Sequence, residues 1–258
     1  MLLLVDVGNT NTVLGVYREK VLTHHWRLTS GSHTSDELGL ALLNLLETAG
    51  IEAGDISGAV VSSVVPPMDL ALRDAIGLYL KTEALFVTTA LDLGVKVLYK
   101  APHEVGADRL VNAVAGVAAY GAPLIIVDFG TAITLDVVSR DKAYLGGAIA
   151  PGMAVSMEAL FGKTARLPKV SLTAPASVIG RTTMESIQAG IMFGTAGLID
   201  TLVRRTWDEL GEKTAVVATG GQAESVSPYT ETIGKVDPWL TLEGLRLIYE
   251  RNLPGTGE

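Results

Sequence analysis

Asp6-Val7-Gly8-Asn9-Thr10-Asn11-Thr12 follows the apolar run Leu2 to Val5, and Asp128-Phe129-Gly130-Thr131-Ala132-Ile133-Thr134 follows the apolar run Leu124 to Val127. The same order of residue types recurs in each half of the chain. A buried strand leads to an acidic residue, then a glycine and hydroxyl side chains in a tight turn, then a second strand over Val13 to Tyr17 or Leu135 to Val138. Such a hairpin suits phosphate. Glycine lets the backbone approach an anion, turn N–H groups and Thr and Asn side chains donate to phosphate oxygens, and a carboxylate at the strand end holds a cation. Either phrase alone is more often an ordinary turn. The pair, after matching strands, points to two hairpins that grip one nucleotide triphosphate. A further strand, Ala215 to Ala218, runs into Thr219-Gly220-Gly221, where a nucleoside fits against bare backbone.

The chain has 258 residues, 48% of them hydrophobic, enough for two domains of ordinary size with their own cores. Lys and Arg number 20 against 28 Asp and Glu, a net charge of −8 without any basic run, which argues against nucleic acid as a partner. The absence of cysteine excludes disulfides, thiolate metal sites and cysteine nucleophiles. His24, His25, His33 and His103 show no metal-ligand spacing. His24 and His25 are adjacent in an expected strand, point to opposite faces and read as surface residues.

Residues 1–5 lack the basic region and length of a secretory signal. The uncharged interval between Arg109 and Asp128 is broken by Gly121, Ala122 and Pro123. It reads as a buried helix over Val105 to Tyr120, a turn and a strand, in preference to a membrane span. The expectation is a soluble, cytoplasmic protein with no membrane partner.

The first half reads as strands Leu2 to Asp6, Thr12 to Arg18 and Thr23 to Leu28. A helix follows, capped by Thr34 or Ser35 with Asp36 and Glu37 in its first turn. Then come a strand Gly58 to Ser62, a helix from Pro66-Pro67 to Leu80 and a strand Ala84 to Val87. The second half begins the same way, with strands Leu124 to Val127, Ile133 to Val138 and Ala143 to Ile149. Helices Val155 to Phe161 and Met184 to Leu210, a strand Ala215 to Ala218 and a helix Leu240 to Arg251 complete it. Thr164 to Ile179 reads as a long loop of the kind that is often functional. The order βββαβαβ departs from the alternation of a doubly wound fold. The chain therefore reads as α/β, with two RNase H-like domains, 1–119 and 120–258, around a central nucleotide cleft, similar to the actin-like ATPase, Hsp70 and sugar kinase superfamily.

Two look-alikes carry nothing. Phe161-Gly162-Lys163-Thr164 ends like a P-loop but has Met157 where the leading glycine belongs, and Asp128-Phe129-Gly130 lacks the other protein-kinase signatures. Glu104-Val105-Gly106-Ala107-Asp108-Arg109 is more telling. An Asp at a helix N-terminus beside Arg109 is expected to have a lowered pKa and to serve as a base in phosphoryl transfer, where alignment of the attacking hydroxyl is the main demand. A simple N-cap role for Asp108 is the alternative.

These phrases, together with Ser62-Ser63-Val64-Val65-Pro66, Gly146-Gly147-Ala148-Ile149-Ala150-Pro151-Gly152, Gly180-Arg181-Thr182-Thr183 and Ser186-Ile187-Gln188-Ala189-Gly190, stand in the order found in type III pantothenate kinases. The chain resembles that family from Leu2 to about Ile248. The resemblance implies ATP-dependent phosphorylation of pantothenate to 4′-phosphopantothenate, the first step of coenzyme A synthesis. It implies that Asp6, Val7, Gly8, Asn9, Thr10, Asn11, Thr12 and Val13 form the first phosphate hairpin, with Asp6 beside Mg2+ directly or through water, and that Thr131 touches ATP from the second. Asp128 would help bind a monovalent cation, K+ or NH4+. Asp108 would be the base, with Tyr99, Gly106, Ala107, Asp108 and Arg109 lining the pantothenate pocket. Thr183 would complete that pocket from the second subunit of a homodimer. The Ala/Val-rich helix after Arg109 is compatible with packing across the two-fold axis and equally with an intramolecular core.

Two departures bear on the pocket. Lys100-Ala101 stand where an Asp or Asn is expected before Pro102, and Thr182 stands where Asn is commoner. Two rivals remain. One is another small-molecule kinase of the superfamily, although the zinc motif of small sugar kinases is missing. The other is an actin- or Hsp70-like nucleotide switch or accessory regulator, which the acidic balance disfavours.

Overall fold

A computed structural model of the chain describes residues 1–163 and 170–253. The first part of the long loop expected over Thr164 to Ile179 lies outside the described residues. Internal contacts divide the chain into two units, Met1–Ala115 together with the segment from Leu240 on, and Gly116–Trp239.

The first unit contains β1 (Leu2–Val7), β2 (Asn11–Arg18), β3 (Val21–Thr29), α1 (Ser35–Thr48), β4 (Gly58–Ser63), α2 (Pro66–Ala75), β5 (Ala84–Phe86) and β6 (Lys96–Val97). It ends within α3 (Ala107–Tyr120). Its main sheet runs β3-β2-β1-β4-β5, with β1 antiparallel to β2 and parallel to β4. Alternation sorts the strands into two faces. Leu3, Val5 and Val7 with Ala59 and Val61 meet Leu38, Leu42 and Leu46 of α1 and Met68, Leu72 and Ala75 of α2 in one core. Burial of each such leucine contributes about 1.5–3 kcal/mol. Thr34 caps α1: its hydroxyl accepts from Glu37 N at 3.2 Å while the Glu37 carboxylate accepts from Thr34 N at 2.8 Å. Pro66 and Pro67 open α2, where the missing N–H groups cost no helical hydrogen bond.

The second unit holds β7 (Leu124–Phe129), β8 (Ala132–Val138), β9 (Ala143–Pro151), α4 (Met153–Gly162), α5 (Thr183–Leu210), β10 (Ala215–Thr219), α6 (Ala223–Val226) and β11 (Lys235–Val236). Its strands follow the order β11-β10-β7-β8-β9, with β7 antiparallel to β8 and parallel to β10. The two sheets therefore repeat one topology. Ile125, Val127 and Phe129 with Val216 and Ala218 pack against Met192, Ala196, Ile199 and Val203 of α5. By length and apolarity α5 is sufficient to cross a membrane, yet this heptad-like row is core in the present fold. The helix α3 ends at Tyr120, as expected, and Gly121 follows at φ 80°.

The C-terminal helix α7 (Leu240–Arg251) has the expected bounds but groups with the first unit, whereas the expected division was 1–119 and 120–258. The back of the first sheet explains this. Leu242 lies against Gly15, the Tyr249 ring occupies the space beside Gly58, and Tyr17 donates to Glu243 at 3.0 Å. Arg246 is nearly buried in α7 and is held between Glu243 and Glu250, which keeps its pKa raised.

Candidate active site

In the first hairpin Gly8 N donates to Asn11 O at 3.0 Å, which closes the turn and leaves Asn9, Thr10 and Asn11 exposed at its tip. Asp6 is half-buried at the end of β1, between Val13 on β2 and Ser62 on β4. Val7 is core, and the Thr12 hydroxyl is buried against Ser30 Oγ at 2.9 Å. The tip residues thus present donors to solvent, while Val7 and Thr12 hold the hairpin's shape.

The second hairpin repeats this arrangement. Gly130 N donates to Ala132 O at 3.1 Å, Thr131 is exposed, and Asp128 sits between Thr134 on β8 and Thr219 on β10. Two glycines wall it. Gly152 N donates to Thr131 O at 3.0 Å, and a Cβ at Gly152 would lie only 2.5 Å from that oxygen. Gly220, at φ 92°, lies against the Asp128 carboxylate. Gly220, just after β10, therefore serves the hairpin's geometry.

Asp108 is the second residue of α3, and Gly106 precedes the first turn, its carbonyl accepting from Leu110 N at 3.3 Å. Asp108 Oδ1 accepts from Arg109 N at 2.8 Å. A Cβ on Gly106 would overlap that oxygen and lie 3.5 Å from Val64 Cγ1, so glycine makes room for the carboxylate beside the end of β4. The expected lowering of the Asp108 pKa is reversed. Burial raises it, and this outweighs the Arg109 N–H bond and the Arg109 charge, which act downward. A raised value suits a general base better, because proton abstraction is most effective from a group with a pKa near the working pH.

Arg109 is buried, Ala107 and Tyr99 are half-buried, and Thr183 is exposed as the first residue of α5. Thr182 caps that helix by accepting from Glu185 N at 3.2 Å. Asn and Thr both perform this task, so the departure at Thr182 preserves the cap. Leu110, Val111, Ala113, Val114 and Ala115 are all buried within the single chain, so this face of α3 is core.

Among the described residues no three acidic or histidine side chains cluster as a metal cage. Asp6 and Asp128 stand singly at the ends of β1 and β7, one carboxylate at each hairpin. His24 is half-buried and His25 exposed, and His24 stacks on Trp26 at 5.8 Å. A cavity of about 320 Å3 in the second unit, lined by Leu135, Val137, Gly147, Leu202 and Arg205, includes none of the candidate residues.

Duplicated sheets, each with an Asp-x-Gly hairpin after its first strand, define a protein of the actin-like ATPase and sugar kinase fold. Solved structures agree: a Campylobacter jejuni protein described as a Baf family transcriptional activator has a TM-score of 0.64 at 19% identity, covering 97% of this chain and 98% of that one. The ADPNP-bound activator of 2-hydroxyisocaproyl-CoA dehydratase from Clostridium difficile has a TM-score of 0.58 at 16% identity, covering 95% and 93%. A family model described as type III pantothenate kinase matches residues 2–205. The proteins of that name from Bacillus cytotoxicus and Brevibacillus brevis are 46% and 48% identical over 253 residues, covering 98% of this chain and 97% and 99% of theirs. The chain belongs to the type III pantothenate kinase family.

Proposed function

We propose that the protein transfers the γ-phosphoryl group of ATP to pantothenate, giving 4′-phosphopantothenate. The observation that carries this reading is membership of the type III pantothenate kinase family, in a chain with two phosphate-type hairpins and the Asp108 carboxylate at the start of α3. Asp108 accepts the proton of the attacking hydroxyl, and Arg109 and Tyr99 orient the substrate beside it. The exposed donors of Asn9, Thr10, Asn11 and Thr131 bind the phosphates. Mg2+, when bound, neutralises charge on the transferring group. Asp6 anchors it, and Asp128 takes K+ or NH4+.

We further propose a homodimer in which Thr183 completes the partner's pocket. The same unit exposes large apolar side chains: Ile149 on β9, Phe161 on α4, Val178 and Ile179 ahead of α5, and Met184 next to Thr183 in the sequence. Such exposure, in a monomer, is the mark of an interaction surface. The reaction takes place in the cytoplasm, without nucleic acid or membrane.

The test is mass-spectrometric detection of phosphopantothenate from purified protein, Mg·ATP, K+ and pantothenate. Product formation supports the reading. ATP hydrolysis indifferent to pantothenate would instead indicate a nucleotide switch.

A further inference from the structure

Ser62 stands in β4 directly beside Asp6 in β1. It is fully buried, and its Oγ makes no hydrogen bond among the described residues. Its neighbour Ser63 differs, donating to Asp69 at 2.5 Å. Alternation explains the contrast. Val5, Val7, Ala59 and Val61 face the helical core, so Asp6 and Ser62, one residue out of phase, share the opposite face at the same end of two parallel strands.

A buried hydroxyl without a partner is costly, and alanine would fill the same space without that cost. The second sheet carries the same juxtaposition: Thr219 in β10 is buried and stands in register with Asp128 in β7. A carboxylate flanked by a buried hydroxyl one strand away is thus repeated at both hairpins.

Resting on the assignment of Asp6 to the divalent metal, we propose that Ser62 is a positioning residue that hydrogen-bonds a water carried by the metal at Asp6. Mg2+ releases its waters reluctantly and reaches proteins largely through them, so a hydroxyl beside the anchoring carboxylate orients the ion without touching it. Ser63 is excluded from this part because its hydroxyl is committed to Asp69.

The test compares wild type, Ser62→Ala and Asp6→Asn in three measurements: thermal melting without ligands, initial rate against free Mg2+ at saturating ATP, and Mn2+ binding by electron paramagnetic resonance with a non-hydrolysable ATP analogue. Removal of an outer-shell group typically weakens metal binding by about 10- to 100-fold. Ser62→Ala is expected to weaken Mn2+ and raise the Mg2+ requirement within that range, while the ligand-free protein melts no lower than wild type. Unchanged metal affinity in Ser62→Ala, when Asp6→Asn weakens it, overturns the role of Ser62 alone. Unchanged affinity in Asp6→Asn overturns the assignment of the metal to Asp6, and with it this proposal.

Discussion

Gly220 lies so close to Asp128 that a methyl group at position 220 would overlap the carboxylate Oδ1 and stand 2.6 Å from the Phe129 amide nitrogen. The backbone there is also left-handed, at φ 92°. Gly220→Ala is therefore expected to displace Asp128 and to cost about 1–3 kcal/mol of stability through backbone strain. Thermal melting reports the second effect. If Asp128 holds K+, as proposed, the first should appear as a weakened response of the initial rate to K+, and an unaltered response would separate Gly220 from that role.

If Asp6 and Asp128 serve one triphosphate, as proposed, several negative charges come together, and the chain has no P-loop lysine to offset them. Activity with Mg·ATP should be nearly absent in sodium or Tris buffers and rise steeply with K+ or NH4+. Asp128→Asn should lose that rise. Initial rate against K+ at constant ionic strength decides the matter. A wild type equally fast without K+ would make Asp128 a second divalent anchor instead.

Because burial raises the Asp108 pKa, a base at Asp108, as proposed, is lost as pH falls through a value above the ordinary aspartate range. The acid limb of kcat/KM should accordingly lie higher in pH than a solvent-exposed aspartate would place it. Asp108→Asn should lower kcat by about 10²- to 10⁴-fold and abolish that limb. Stability moves in the opposite sense. The native state binds more protons than the unfolded state between the unfolded and folded pKa values, so wild type loses stability as pH rises through that window. Above it, Asp108→Asn should melt no lower than wild type. A variant within about threefold of wild-type activity would remove Asp108 from the mechanism.

If Thr183 completes the neighbour's pocket, a heterodimer of one Asp108→Asn subunit and one subunit with a bulky residue at Thr183 retains one intact site. Mixing and reassociating the two inactive variants should restore activity. Verified heterodimers without recovery would place Asp108 and Thr183 in the same subunit's site.

Much of the architecture was legible in the sequence because its signals are local. Alternating and continuous apolar runs, Asp-x-Gly turns, a cap at Thr34 or Ser35 and the Pro66-Pro67 start lie within a few residues of what they specify, and α7 falls at Leu240–Arg251 as read. The two-residue strands Lys96–Val97 and Lys235–Val236 are too short to show any period.

The sequence by itself thus determined the family, the hairpins and the position of Asp108 at the start of a helix. Tertiary structure decided the direction of the Asp108 pKa, the return of α7 to the back of the first sheet, the conversion of the α3 apolar face into core, and the pairing of Ser62 with Asp6. Charge neighbours such as Arg109 can be read one residue away. Desolvation, close approach to a glycine and register across parallel strands depend on residues far apart in the chain, and those meet only when the chain has folded.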